Sequence, residues 1–325
     1  MKQTRTTTRG TTLLAATLAA GLATAAAASA QAAPADTKPV TIILVDHGQA
    51  ADPFHNVIKR GAQDAAKQLG VHLEIRQPDN FDMTQMANLI TAAANQKPDG
   101  LVTTVPDAEA LSGPIKRAIA QGIPVIATND APANGHKVGA LLNVGQDETA
   151  AGRAAGKAMA AAGAKKAICV NQEVGNVALD ERCSGFAEGF GGNSKVLPVE
   201  TDPSVTKSKI EAALRSDPSI DAIIGLNASL VGEPAVQAVQ ELGRTGKVKV
   251  ASFDLSAGML RNVADGKAVF VVDQQPYLQG YLPVLFLTQR ARYGLLPSGD
   301  VASGPNLITK DQAAKVIDLS SAAIR

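Results

Sequence analysis

Residues 40–76 read VTIILVDHGQAADPFHNVIKRGAQDAAKQLGVHLEIR, and this stretch indicates the fold class. Its first six residues form an apolar run rich in β-branched side chains, which is typical of a strand buried on both faces. A helical pattern with a 3.6-residue period follows, formed by Phe54, Val57, Ile58, Ala62, Ala65, Ala66 and Leu69. Gly70 then ends the predicted helix, and a second short β-rich run begins. The stretch therefore predicts a β-α-β unit.

The same alternation continues along the chain. Short β-rich runs recur at residues 40–45, 73–76, 101–105, 125–128, 140–144, 167–170, 196–199, 222–226, 248–253 and 268–272. Helical patterns separate most of them, and Gly122, Gly163 and Gly243 stand at natural helix ends. Apolar strands joined by helices specify a parallel sheet covered on both faces. Because ten strands are too many for one compact sheet, we predict an α/β fold of two doubly wound parallel-sheet lobes.

Short hinge crossings are expected between the lobes, since no low-complexity linker separates them. One candidate hinge is residues 140–147, where a strand leads directly into an Ala-rich helix at 149–162; the second is residues 271–276, before a long amphipathic helix at 277–293. The predicted lobes comprise residues 38–146 plus 277–303 and residues 147–273 plus 304–325. Ligands of open α/β sheets bind beyond the carboxyl ends of the strands, so both lobes are expected to face a shared cleft.

The composition is that of an ordinary globular protein. The chain has 325 residues, of which 45% are hydrophobic and 19% charged, with a formal net charge of +1. Disordered, collagen-like and disulfide-stapled small proteins are excluded. Residues 1–30 hold Lys2, Arg5 and Arg9 and no acid, so the remaining chain carries a charge of about −2. A body this close to neutral is not an electrostatic partner for nucleic acid or anionic lipid.

Residues 1–30 are predicted to be a secretory signal peptide. Basic residues at 2–9 precede an uncharged run at 11–28, and Ala28-Ser29-Ala30 places small residues at −3 and −1 of a cleavage site. A membrane anchor is the alternative, but a run of Ala and Thr only ~18 residues long gives little transfer free energy. We therefore expect a mature, soluble protein that starts near Gln31 and lies in the periplasm.

Cys169 and Cys183 are the two cysteines of the chain, with a strand-to-helix connection between them. An oxidising compartment favours a disulfide, and such a connection brings two residues within bonding range. A disulfide and two buried thiols both stay open as alternatives. The absence of CxxC spacing argues against a redox motif or a zinc site.

Five motifs carry a resemblance to a known family. They are residues 45–61 from Val-Asp-His-Gly through Asp-Pro-Phe-His to Arg-Gly, KPDGLV at 97–102, GIPVI at 122–126, SFD at 252–254 and DQQPY at 273–277. Their order and spacing resemble the sugar-binding periplasmic proteins of ABC transporters, and most closely the ribose-like type I binding proteins. The similarity covers essentially the whole mature chain.

The resemblance implies a set of substrate-binding residues. The start of the first helix would grip a sugar through Asp52, Phe54 and His55, since an aromatic plane suits the C–H face of a sugar and polar groups suit its hydroxyls. Positions matching family contacts in the far lobe and hinge are Asn227, Asp254 and Gln274. The alternative for Phe54 is a core position on the apolar face of its helix.

Two positions depart from the family pattern. An Asp-Arg pair of the family falls on Asn129-Asp130, and a second family arginine falls on Asp180, although a shift of a few residues would move it to Asn176 or Arg182. The alternative role for Asp180 is an N-cap or a first-turn acid of its helix. Thr104 and Asn176 complete the predicted substrate-binding residues.

These departures bear on the ligand, because carboxylates only accept hydrogen bonds whereas a guanidinium donates them. With Asp52, Asp130, Asp180 and Asp254, the predicted site is rich in acceptors. A neutral monosaccharide or a polyol fits such a site, and a cationic amino sugar stays open. Repulsion disfavours an anionic sugar acid or sugar phosphate.

Catalytic and cofactor motifs do not emerge from the sequence. The glycines of the segment Gly152-Arg153-Ala154-Ala155-Gly156 have helical spacing and not the GxGxxG spacing of a nucleotide loop, and the four histidines lack metal-ligand spacing. Asp52 and Asp254 remain the pair that a glycoside hydrolase would need, an alternative that we do not favour. We expect no enzyme activity, no cofactor and no metal.

The predicted function is therefore that of the solute-binding component of an ABC importer. Its partners would be a neutral sugar or polyol and a permease in the inner membrane, and the protein would act as a monomer. An exported sensor that presents its ligand to a chemoreceptor or sensor kinase is the alternative. A transcriptional regulator of related fold is disfavoured, because an export signal stands where its DNA-binding helices would lie.

Overall fold

A computed structural model describes residues 39–49 and 52–325. The signal peptide predicted at residues 1–30 lies outside the described residues. Within them, twelve strands form two six-stranded sheets, each flanked by helices on both faces. The predicted α/β fold with two parallel-sheet lobes is confirmed.

The first lobe is built on one sheet with five helices. Its strands are β1 (Thr41–Val45), β2 (His72–Arg76), β3 (Gly100–Thr103), β4 (Val125–Thr128), β5 (Asn143–Gly145) and β11 (Val301–Ala302), and its helices are α1 (Pro53–Leu69), α2 (Met83–Asn95), α3 (Ala108–Ala120), α4 (Pro132–Val138) and α10 (Pro276–Tyr293). The strand order is β11-β5-β4-β3-β1-β2, with parallel pairing throughout.

The second lobe repeats this plan. Its strands are β6 (Ala167–Asn171), β7 (Ser194–Pro198), β8 (Ala222–Gly225), β9 (Lys249–Phe253), β10 (Phe270–Asp273) and β12 (Asn306–Thr309), and its helices are α5 (Glu148–Ala161), α6 (Val177–Phe190), α7 (Pro203–Ser216), α8 (Glu233–Glu241), α9 (Ala257–Ala264) and α11 (Lys310–Ser321). A π-helical turn at Ala228–Gly232 leads into α8. The order is β12-β10-β9-β8-β6-β7, and β12 alone among these strands runs antiparallel to its neighbour.

Helices cover both faces of each sheet, and successive residues of a central strand point to opposite faces, so both sets are buried. In β1, Ile42 and Leu44 pack into the hydrophobic cluster under α1 and α10, whereas Ile43 and Val45 pack into the cluster under α2 and α3. This two-sided burial explains why the strands read as continuous apolar runs.

Helices α5 and α6 approach each other almost backbone to backbone. A Cβ atom added to Gly152 would lie 2.2 Å from the carbonyl oxygen of Arg182, and one added to Gly185 would lie 2.1 Å from that of Thr149. The helical glycine spacing noted at residues 152–156 therefore serves helix packing, and it fixes the position of α6 at the cleft.

Cys169 in β6 and Cys183 in α6 are joined by a disulfide with an S–S distance of 2.03 Å. Both residues are buried in the hydrophobic cluster between β6 and the pair α5 and α6. Of the two alternatives that the sequence left open, the structure has the disulfide.

The chain crosses between the sheets three times. The crossings lie between β5 and α5, between β10 and α10, and between β11 and β12. The first two fall in the stretches predicted as hinges; the residue boundaries assigned to the lobes stay a prediction. In the part of the chain that the structure describes, no helix has both the length and the apolar character needed to cross a membrane.

Candidate functional site

A cavity lies between the two lobes, at the carboxyl ends of the strands. Its lining comes from both lobes and is mostly polar. The lining residues are His47, Asp52, Phe54, His55, Asn129, Gln172, Glu173, Asn176, Ala178, Leu179, Arg182, Leu226, Asn227, Asp254 and Gln274. Eight of the predicted substrate-binding residues are brought together here: Asp52, Phe54, His55, Asn129, Asn176, Asn227, Asp254 and Gln274.

Asp52 connects the start of α1 to the opposite lobe. Its Oδ1 accepts a hydrogen bond from the backbone N–H of Phe54 at 2.9 Å and so caps the helix. Its Oδ2 accepts one from Nδ2 of Asn227 in the second lobe at 3.3 Å. Asn227 in turn caps the π-helical turn after β8 through its Oδ1. Two capping residues thus face each other across the cleft.

A buried ion pair lies directly behind this point. Nδ1 of His55 lies 2.8 Å from Oδ1 of Asp46. Burial opposes the charged imidazolium, but the charge and hydrogen bond of Asp46 outweigh it and raise the pKa of His55 to about 9. Burial likewise opposes the Asp46 carboxylate, but His55 lowers the pKa of Asp46 to about 2. The cavity wall therefore holds a cation whose charge Asp46 already neutralises.

His47 lies beside this pair and is neutral. Burial, together with the positive charge of His55, lowers the pKa of His47 to about 3. Its ring meets the rings of His55 and Phe81 edge to face, with centroids 4.8 Å and 5.8 Å away.

Arg182 brings a guanidinium to the cavity from α6. It pairs with the buried Glu148, with Nη2 3.0 Å from Oε1, and its guanidinium carbon lies 5.0 Å from the centre of the Phe253 ring. Burial opposes its charge, but Glu148 raises the pKa of Arg182 further. The guanidinium is therefore held in place and partly neutralised before any ligand binds.

The hinge contributes a hydrogen-bonded group of amide and carboxyl side chains. Nε2 of Gln274 donates to Oδ1 of Asp254 at 2.6 Å, and Nδ2 of Asn129 donates to Oε1 of Gln274 at 3.2 Å. Asn129 and Asp254 have left-handed backbone conformations, with φ of 59° and 66°, which Asn and Asp adopt more readily than most residues. Burial raises the pKa of Asp254 to about 7, although Arg182 opposes the shift.

Three predicted residues do not line the cavity. Thr104 is buried and accepts a hydrogen bond from the backbone N–H of His47 at 2.9 Å. Asp130 is buried behind the cavity, where its Oδ2 accepts one from the backbone N–H of Val105 at 2.5 Å, and burial raises its pKa well above the usual range. Asp180 is exposed on the first turn of α6 and accepts one from Nδ2 of Asn171 at 3.1 Å.

These placements show which of the predicted groups line the cavity and which lie outside it. Of the four expected carboxyl acceptors, Asp52 and Asp254 line the cavity while Asp130 and Asp180 do not. An arginine is present after all, because Arg182 reaches the cavity where Asp180 does not. Glu173 adds a carboxyl group that the sequence analysis missed, and burial raises its pKa.

Four of the missed lining residues have a recognisable signal. Gln172 and Glu173 follow β6 directly, His47 lies two residues after β1, and Leu226 follows β8. The rule that ligands bind beyond the carboxyl ends of parallel strands identifies all of these positions. No group of three or more His, Cys, Asp or Glu side chains suited to hold a metal ion occurs among the described residues.

The chain is similar in sequence and in fold to known proteins. Residues 42–294 match the model of the periplasmic binding protein domain. A solved carbohydrate transporter structure from Acidothermus cellulolyticus, in complex with myo-inositol, is 36% identical with a TM-score of 0.84, covering 89% of this chain and 100% of that one. The ribose import binding protein of Bacillus subtilis is 30% identical over 71% of this chain and 75% of its own length.

A further relative is the xylose/arabinose-binding protein of Sulfolobus acidocaldarius. It is 28% identical over 260 residues, which are 75% of this chain. The match spans 64% of the length of that archaeal protein.

Proposed function

The chain belongs to the periplasmic binding protein family, and we propose that it is the solute-binding component of an ABC importer that takes a neutral monosaccharide or polyol into its interlobe cleft. The observation that carries this proposal is the cavity between the lobes, which polar side chains from both lobes line near the ends of the strands.

The charges of the cavity favour a neutral, hydroxyl-rich ligand. Its two basic groups, His55 and Arg182, are already paired with Asp46 and Glu148. The carboxyl groups of Asp52, Asp254 and Glu173 also line the cavity, and each of them that is ionised repels an anionic ligand. Hydroxyl groups can donate to these oxygens and accept from the amide and guanidinium groups around them.

Within this class, we propose a cyclitol as the first candidate. The solved relative from Acidothermus cellulolyticus carries myo-inositol and is 36% identical over nearly the whole chain. The xylose, arabinose and ribose of the named relatives are the next candidates.

Binding acts through closure of the two lobes, with no chemical step. Ligand that contacts one lobe becomes fully hydrogen-bonded only when the other lobe closes over it, so binding shifts the population toward the closed form. A permease that recognises the closed form then receives ligand only from loaded protein. The relatives are binding proteins and not enzymes, which excludes the glycoside hydrolase alternative.

Family membership places the protein in the periplasm or outside the cell. We propose further that a cleaved signal peptide at residues 1–30 takes it there and that it works as a monomer. The ribose import binding proteins among the relatives favour import over the sensor alternative.

A thermal-shift panel tests the ligand class. The purified protein would be heated with myo-inositol, D-xylose, L-arabinose, D-ribose and D-allose, with D-ribose 5-phosphate and D-glucuronate as anionic controls. A ligand that binds the native state raises the unfolding midpoint by mass action. A shift with a neutral compound and none with the anionic controls is expected; a shift confined to the anionic compounds would contradict the proposal.

A further inference from the structure

Two side chains of the cavity meet across the cleft without bonding each other. His47 follows β1 in the first lobe and Glu173 follows β6 in the second. Nε2 of His47 lies 3.8 Å from Oε2 of Glu173, which is too far for a hydrogen bond. The side chains are only 4% and 10% exposed, so solvent has little access to either.

The protein leaves the hydrogen-bonding capacity of His47 largely unused. Nδ1 is buried and has no hydrogen-bond partner within residues 39–49 and 52–325. The backbone N–H of the residue is bonded to Thr104, but the ring makes only edge-to-face contacts with His55 and Phe81. Nε2, the nitrogen that faces Glu173, makes no hydrogen bond to any described residue either, so it can bond to a ligand in the cavity.

The surroundings of His47 and Glu173 also determine which hydrogen bonds each side chain can make to a ligand. Burial and the neighbouring His55 cation keep the imidazole of His47 neutral, so it has one donor and one acceptor nitrogen. Glu173 is held by Nδ2 of Asn176, which donates to its Oε2 at 2.8 Å. A carboxyl oxygen has a further lone pair for a second donor.

We propose that His47 and Glu173 together recognise one hydroxyl group of the bound ligand and determine which ligands allow the cleft to close. This inference rests on the proposed function. An oxygen placed ~2.8 Å from both groups accepts from the imidazole and donates to the carboxyl group. Because one residue comes from each lobe, that hydroxyl joins the lobes. A ligand without it leaves Nε2 of His47 without a hydrogen-bond partner in the closed form and Glu173 with only its bond from Asn176, which is how polar sites reject close analogues.

Calorimetric titration with myo-inositol and its monodeoxy derivatives tests the proposal. His47→Phe keeps the aromatic ring and removes both nitrogens; Glu173→Gln keeps the shape and removes the charge. Matched controls are His136→Phe, at an exposed site on α4, and Glu181→Gln, on α6 but outside the cavity lining.

We expect the wild type to bind one monodeoxy derivative about 10-fold or more weakly than myo-inositol. His47→Phe should bind myo-inositol about 10-fold more weakly and lose the discrimination at that hydroxyl. Glu173→Gln should lose discrimination at the same hydroxyl. The loss of binding free energy in the double variant should be smaller than the sum of the losses in the two single variants, as for groups that share one partner. The controls should bind like the wild type.

Other results distinguish a failure of the proposed function from a failure of the role assigned to His47 and Glu173. If the wild type binds none of myo-inositol, D-xylose, D-ribose and D-allose, the proposed function itself fails. If the wild type binds and both variants keep its discrimination among the deoxy derivatives, the role of His47 and Glu173 is overturned while the proposed function stands. If His47→Phe only lowers the melting temperature of the ligand-free protein, Glu173→Gln decides the outcome: unchanged discrimination in it overturns the inference.

Discussion

The backbone N–H of Val177, at the start of α6 in the second lobe, donates a hydrogen bond to the carbonyl oxygen of Pro106 in the first lobe, at 3.1 Å. With the Asn227–Asp52 bond, it joins the lobes directly, without a ligand between them. Such contacts favour the closed form by a small amount in every ligand complex, because they are made only when the lobes meet.

Removing the Val177 donor should therefore weaken ligand binding. Val177 is the first residue of α6, a position that accepts proline without loss of the helix. Val177→Pro should lower affinity about 2- to 10-fold, the worth of one hydrogen bond. Val177→Ala keeps the N–H and serves as the control. Equal affinities of the two variants in calorimetry would show that the bond does not influence closure.

Asp254→Asn should weaken binding of a neutral sugar or cyclitol by about 1–3 kcal/mol, because an amide nitrogen that only donates replaces one of the two carboxyl oxygens. Asparagine suits the left-handed backbone at this position, with φ of 66°, better than alanine does. Unchanged affinity, with a native melting temperature, would remove Asp254 from the binding residues.

Phe54 belongs both to the hydrophobic cluster under α1 and to the cavity wall. Phe54→Ala should therefore lower the free energy of unfolding by about 3 kcal/mol and also reduce affinity. Phe54→Leu keeps most of the apolar volume but not the aromatic face, so its stability should stay near that of the wild type while affinity still falls. Wild-type affinity in Phe54→Leu would assign the residue to the core alone.

The Asp46–His55 pair should make stability depend on pH. The raised His55 pKa contributes stability that is complete below 6.5 and is lost as pH rises toward 9. The lowered Asp46 pKa contributes stability that is complete above 3.8 and is lost as pH falls toward 2. Asp46→Asn should therefore cost about 2–4 kcal/mol near pH 5 and less near pH 9. Urea unfolding of both proteins checks this, and a difference that stays constant from pH 5 to pH 9 would argue against the pair.

The fold was predictable because the sequence patterns that indicate its strands and helix ends are local and recur along the chain. Each buried strand is a continuous apolar run, and Gly70, Gly122, Gly163 and Gly243 all have the positive φ expected at helix ends. Strands β11 and β12 gave no such signal, because they are short and half exposed.

The site was predictable only in part, because a side chain's direction depends on geometry that spacing does not fix. Asp180 and Arg182 are two residues apart on α6, a rotation of about 200° around the helix axis. Their side chains therefore lie on nearly opposite faces of the helix, and only one of them can face the cleft. The side chains of Asn129 and Asp130 also point in different directions, because Asn129 has a left-handed backbone conformation. The carboxyl group of Asp130 accepts a hydrogen bond from the backbone N–H of Val105 and does not face the cavity. His47 and Glu173 lie in different lobes and approach each other only in the folded structure, so no local pattern in the sequence could indicate that they are close.

A crystal structure of the protein with myo-inositol would show directly whether the cleft between the lobes is the binding site. We expect one ligand in the cavity between the lobes, with hydroxyl groups within hydrogen-bond distance of Asp52 in the first lobe and Asp254 in the second. A ligand bound elsewhere on the surface, or held by one lobe with the cavity empty, would contradict it.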